Sequence, residues 1–177
     1  KMGDEGYGFD TYQWANIDDF WQESPKDKIR KIIESQQPIH FEALCKILAP
    51  LWGNRKATNV IRKNVNYYLK LYLGENVEQK DGFVTLKGFD NLRVRVPGTT
   101  EDVRPIEYIS KDELALAMKT IAEKSFGITP EGLITETART FGFKRTGDKI
   151  STTLKSVYER MLKENVVKEI DGKVSVK

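Results

Sequence analysis

Apolar residues recur at helical spacing in two separated stretches of the chain, and each stretch closes in short runs at the spacing of strands. Ile29, Ile32 and Ile33 mark the first stripe, and Leu114, Ala117, Met118 and Ile121 the second. Before each stands a serine with an acid three residues on, in Ser24-Pro25-Lys26-Asp27 and Ser110-Lys111-Asp112-Glu113. That is the pattern of a capped helix start, and Pro25 suits the first helical position. A second helix is predicted from His40 and from Thr129-Pro130-Glu131, ending near Gly53 and Gly142, where positive φ is easily placed. A third follows each glycine and carries Ile61, Val65 and Tyr68, or Ile150, Leu154 and Val157, to about Glu75 and Glu164. Strands predicted at 77–80 and 166–170 then lead through Asp81-Gly82 and Asp171-Gly172, strong hairpin turns, to strands at 83–86 and 174–176.

The two stretches are copies of one unit. A constant offset of 89 residues (142 − 53) aligns Ile39 with Ile128, Leu44 with Leu133, Trp52 with Phe141, Ile61 with Ile150, and Tyr72-Leu73 with Met161-Leu162. Apolar positions agree while polar ones mostly differ, as expected when a core is shared. Three helices closed by a β-hairpin, with a tight turn before the longest helix, describe a winged helix. The fold class expected is mainly α with small β-hairpins (α+β), in two tandem winged-helix domains. The boundaries are a lead-in at 1–21, winged helix one at 22–88, a connector at 89–109 and winged helix two at 110–177. Within the connector, Leu92 to Val96 alternates like a half-buried strand, ended by Pro97-Gly98. The aromatic lead-in is expected to pack on copy one.

Charge alters this picture only locally. Against 26 Asp and Glu stand 29 Lys and Arg, a net +3, which permits a nucleic-acid partner without demanding one. A single cysteine, Cys45, excludes an internal disulfide and suits a reducing compartment. No apolar run reaches the roughly 18 residues of a membrane span, so a cytoplasmic location and no membrane partner are expected. Opening on Lys1-Met2, the chain reads as excised from something larger.

The cations gather where a helix-turn-helix grips DNA, at the turn before the third helix and at that helix's N-terminal end. Copy one carries Arg55, Lys56, Arg62 and Lys63 there, and copy two Lys144, Arg145 and Lys149. Lys80, Lys168 and Lys173 lie on or near the wings, and Asn59 suits a phosphate or a base edge. Helix N-terminal amides add to the pull on phosphate. Asp148 weakens that reading in copy two, so copy one is the stronger candidate.

Other chemistry finds little support. GFKRTGDK approaches a phosphate-binding loop, but Asp148 stands where the lysine belongs and no strand precedes it. Gly3, Gly6 and Gly8 lack dinucleotide-loop spacing. His40 aligns with the cap Thr129, and Cys45 with the apolar Ile134; five residues apart on a helix they diverge by about 140° and form no nucleophile–base pair. Asp18 and Asp19 are adjacent and divergent. Tyr67, Tyr68 and Tyr72 read as core and interface in preference to a base-stacking platform. No catalytic residue, metal ligand, cofactor site or small-molecule substrate is expected, and the segment is read as non-enzymatic.

The stretches RPIEYISKDELALAM, LITETARTFGFKRTGDKI and YERMLKENVVKE, with PIHFEALCKILAPLWG in copy one, resemble a bacterial C-terminal family of unknown function. That family is found as the tail of large superfamily-one DNA/RNA helicases with a restriction-endonuclease-like domain. The resemblance covers about residues 20–171 and implies an accessory role, gripping DNA beside the motor or docking the tail onto the parent helicase/nuclease. Copy one departs from the turn motif, with Asn54 and Ala57 at the positions of Phe143 and Thr146. The expected function is thus a non-catalytic DNA-binding accessory module, its target duplex or single-stranded. The alternatives are a protein-docking or structural module within the helicase and a winged-helix transcription regulator.

Overall fold

The computed structural model describes residues 6–177; Gly3 and the start of the lead-in lie outside them. In chain order the first elements are β1 (Asp10–Tyr12), α1 (Pro25–Gln36), β2 (Ile39–His40), α2 (Phe41–Leu48), α3 (Asn59–Tyr68), β3 (Val77–Lys80) and β4 (Phe83–Leu86). They are followed by β5 (Arg95–Pro97), α4 (Lys111–Lys124), α5 (Pro130–Thr140), α6 (Asp148–Lys163), β6 (Val167–Ile170) and β7 (Lys173–Val176). Over the described residues the protein is thus a mixed α+β structure of six α-helices and small sheets. It divides into two compact units, one spanning Trp14–Leu92 and the other joining residues 6–13 to Arg93–Lys177.

Capping chemistry sets the helix starts. Ser24 Oγ accepts the Asp27 N–H at 3.2 Å, and Ser110 Oγ the Glu113 N–H at 3.1 Å. His40 opens α2 by accepting the Glu42 N–H on Nδ1 at 3.2 Å, and Thr129 opens α5 through the Gly132 N–H at 3.1 Å. In the first unit the inward stripes bury Ile29, Ile32, Ile33, Leu44, Cys45, Leu48, Ile61, Val65 and Val84. In the second, Leu114, Met118, Ile121, Leu133, Phe141, Leu154, Val157 and Val174 do the same.

Each unit closes with a hairpin whose turn puts aspartate and glycine at positive φ, Asp81-Gly82 and Asp171-Gly172. In the first unit β2 joins that hairpin, Ile39 opposite Val84. In the second, one backbone bond stands at the same place, the Val174 N–H donating to the Ile128 carbonyl at 2.8 Å.

The third helices differ. α6 is α-helical throughout, whereas α3 runs on through a π-turn at Leu69–Leu73. A π-turn adds a residue to the turn. Leu73 is accordingly the buried residue at the end of this helix and Tyr72 is 43% exposed, although its sequence counterpart Met161 is 1% exposed.

Two further features differ from the sequence expectation. Residues 6–13 of the lead-in belong to the second unit and do not pack as part of the first. Their strand β1 runs parallel to β5, Asp10 opposite Arg95, and Tyr7 donates to Glu136 at 3.1 Å. Arg95, expected to alternate outward, is buried instead. Its guanidinium donates to Glu113 Oε2 at 2.8 Å, and Arg104 donates to both Glu113 oxygens at 3.0 and 2.7 Å. The Tyr12 ring lies 4.3 Å from the Arg104 guanidinium carbon. Burial alone would raise the Glu113 carboxyl, but the charges of Arg104 and Arg95 outweigh it and hold the group below the usual carboxylate range.

Candidate nucleic-acid interface

The two basic turns share one backbone. Gly53, after a 3-10 turn at Ala49–Trp52 that follows α2, and Gly142, just past α5, adopt left-handed φ of 70° and 84°, which reverses the chain. The Gly53 and Asn54 N–H groups donate to Pro50 and Ala49 at 3.0 and 3.1 Å. Their counterparts Gly142 and Phe143 donate to Arg139 and Ala138 at 2.9 and 3.0 Å. From there each chain runs out to the start of the third helix. Thr58 caps α3 by accepting the Ile61 N–H at 3.3 Å, whereas Gly147 offers α6 no side-chain cap and leaves its first amides without one.

On this frame Arg55 and Lys56 are exposed, as are Lys144 and Arg145, and none makes a hydrogen bond or ion pair with another described residue. Two adjacent free cations therefore recur at the same place in both copies. The other candidates separate. Arg62 is committed to its own unit, donating from Nε and Nη2 to Glu42 at 2.7 and 2.9 Å and from Nη1 to Asn59 at 3.0 Å. That bond from Arg62 holds the Glu42 carboxyl below its usual range and leaves little of the arginine's charge for a ligand. Asn59 Oδ1 is occupied by the same contact. Lys149 pairs with Glu107 at 2.7 Å. Lys63 is exposed on α3, and Lys80, Lys168 and Lys173 are exposed on the hairpin strands.

The outward faces of the third helices have different chemistry. On α6 the exposed strip is polar: Asp148, Thr152, Lys155, Ser156, Glu159 and Lys163. On α3 and its π-turn it carries Val60, Lys63, Tyr67, Lys70 and Leu71. The cation count in the sequence favours copy one for nucleic acid, and the helix face favours copy two. Sequence reasoning missed both the Arg62–Glu42 pairing and the apolar face of α3. Glu42 stands 20 residues from Arg62, too far for a helical-pair signal, and a π-turn leaves no mark in a periodicity built on 3.6 residues per turn.

Beside the second turn lies a shallow groove of about 340 Å³, walled by Pro105, Ile106, Phe143 and Ile150 with the Glu107–Lys149 pair among its lining residues. Its apolar walls add nothing for phosphate. Among the described residues no three His, Cys, Asp or Glu side chains gather as a metal site, and no helix is long and apolar enough to cross a membrane. Comparison with protein-family models, with curated proteins and with solved structures gives no match.

Proposed function

We propose that the chain is a non-catalytic DNA-binding module of two tandem winged helices, gripping phosphates through the basic turn before each third helix. The observation that carries this reading is the recurrence of free, adjacent cations, Arg55-Lys56 and Lys144-Arg145, on two turns with matching backbone hydrogen bonds. Support for the winged-helix assignment comes from the order of elements and from the bond between the start of the second helix and the hairpin, at Ile39–Val84 and at Ile128–Val174. Of the two third helices α6 is the one suited to lie against DNA. Thr152 on its outward strip offers a hydroxyl to a phosphate or base edge, Ser156, whose hydroxyl donates to the Thr153 carbonyl at 2.8 Å, keeps acceptor capacity for a base-edge amine, and Lys155 and Lys163 offset the acids there. In the setting that the family resemblance implies, such a module would hold DNA beside a helicase or nuclease body.

The test is fluorescence anisotropy of a labelled duplex and a labelled single strand, titrated with the chain at about 50 and 200 mM salt. Binding should weaken at least tenfold between the two concentrations. Neutralising Lys144 and Arg145 to glutamine together should lower the magnitude of the logarithmic salt slope by about 1.8, since each phosphate contact contributes about 0.9. The Arg55→Gln/Lys56→Gln variant should do likewise. Absence of binding to either strand form at the lower salt would refute the proposal.

A further inference from the structure

The third helix of the first unit ends in a face that phosphate binding does not explain. Val60, Tyr67 and Leu71 are 62%, 55% and 59% exposed, an unusual concentration of large apolar side chains in water along one helix. At positions i, i+7 and i+11 they fall on one line, about three turns long. Tyr72, turned outward by the π-turn, widens the stripe at its end. These rings are braced by one another. Tyr72 lies 6.0 Å from Tyr67 and 4.9 Å from Tyr68, which in turn meets Trp52 at 5.7 Å. A ligand would find the cluster already ordered, which lowers the entropy lost on binding.

The charges on the stripe's own helix have one sign. From Gly53 to Gly74 the chain carries Arg55, Lys56, Arg62, Lys63 and Lys70 and no acid, and Glu42 already neutralises Arg62. Lys63 and Lys70, seven residues apart, edge the stripe two turns from one another. A second copy of the chain suits this face badly. Symmetric pairing sets the same patch against itself, lysine towards lysine, with no carboxylate on the helix to relieve the repulsion. Nucleic acid suits it little better, for Val60 and Leu71 offer no flat surface to a base. The rings of Tyr67 and Tyr72 stand at 76° to each other and so give successive bases no common platform.

We infer that this face docks an acidic amphipathic helix of a protein partner. Its apolar stripe would lie on Val60, Tyr67 and Leu71, and its flanking Asp or Glu side chains would meet Lys63 and Lys70. Recognition of this kind joins apolar anchors at helical spacing to complementary charge at the rim. The inference stands apart from the DNA reading, which rests on the basic turns and on α6. Together they make the first unit the arm that holds a protein and the second the arm whose third helix meets DNA.

A displayed library of helical peptides, randomised along an apolar stripe and at its flanks, provides the probe, selected on the full 177-residue chain. Enriched peptides should carry Asp or Glu at the flanks and bind the Tyr67→Ala/Leu71→Ala variant at least tenfold more weakly. Both side chains are exposed, so the variant should keep its circular dichroism and its duplex binding. The inference is overturned by enrichment of basic flanks, or by no peptide that depends on Tyr67 and Leu71. It is overturned too by a dimer in sedimentation that Leu71→Ala abolishes, or by a tenfold loss of single-strand binding in Tyr67→Ala. Failure of the DNA reading would show itself separately, as absent duplex binding by the unaltered chain.

Discussion

Replacing Glu113 with glutamine puts the electrostatics of the second unit to a quantitative test. Its carboxylate is fully buried and accepts from both Arg95 and Arg104, themselves 7% and 4% exposed. Glutamine keeps the volume but removes the charge and sets an amide donor against guanidinium donors, leaving two buried cations uncompensated. Breaking a buried ion pair from one side costs about 3–5 kcal/mol. For a unit of under a hundred residues each kcal/mol shifts Tm by about 4–8 °C, so a fall of at least about 12 °C is expected. All three tryptophans, Trp14, Trp21 and Trp52, lie in the first unit. Far-UV circular dichroism follows the loss, then, while tryptophan emission tracks the unaltered unit. Acid adds a second signature. A carboxyl held below its usual value gives stability that is present above the unfolded pKa, near 4.5, and is lost as pH falls through the folded one. The glutamine variant should therefore lose stability less steeply below pH 4.5 than the unaltered chain. A loss under about 1 kcal/mol, the range of exposed pairs, would mean that water reaches the arginines and that the network does not hold β5 to α4.

Two smaller effects follow from local packing. A Cβ at Gly53 meets nothing, whereas at Gly142 it meets Val103 Cγ2 at 2.8 Å and Pro97 Cγ at 3.0 Å. In urea titrations Gly53→Ala should cost the left-handed penalty of about 1–2 kcal/mol, and Gly142→Ala at least about 1 kcal/mol more for overpacking. Burial, reinforced by the nearby Glu42 carboxylate, pushes the Cys45 thiol up to about 12. At pH 8 a thiol reagent should accordingly label Cys45 only as fast as the first unit opens, and rapid labelling of the native chain would contradict its burial.

Helix starts and hairpins were legible because they are local. Ser24, Ser110 and Thr129 each act on an amide within three residues, and Asp-Gly turns need nothing beyond themselves. What escaped depends on partners far along the chain. Glu113 sits where an acid completes a capping box, so the sequence offers a sufficient local reason for it, while its partners stand 18 and 9 residues away on the connector. β1 is three residues long and shows no period, and it gains its place only by pairing with Arg95–Pro97, more than eighty residues on. Tyr72 aligns with Met161 and reads as core, until one π-turn rotates it into water. For the candidate interface the cations were visible as residue types. Whether each was free was not, since that depends on Glu42 and Glu107 arriving from other elements.

The divergence of the third helices allows one matched comparison that tests both functional readings at once. Tyr67 and Ser156 hold the same place in the repeat, and both are exposed, so glutamate at either adds one negative charge without disturbing a core. If α6 lies against DNA, Ser156→Glu sets that charge close to phosphates. Like charges about 4 Å apart repel by about 1 kcal/mol in water and several times more near a protein surface. Duplex affinity at about 50 mM salt should then fall fivefold or more, with a smaller deficit at higher salt as screening sets in. At about 0.15 M salt Tyr67→Glu should change duplex affinity by no more than about twofold, because its site lies some 12 Å along α3 from the basic turn, beyond the Debye length of about 8 Å at that salt. The same substitution should abolish binding of an acidic helical peptide, and Ser156→Glu should leave that binding intact. Equal losses of duplex affinity in the two variants would put both third helices on DNA and remove the case for a division between them. If neither variant altered duplex binding, the second helix face would be wrongly assigned and contact would be confined to the turns.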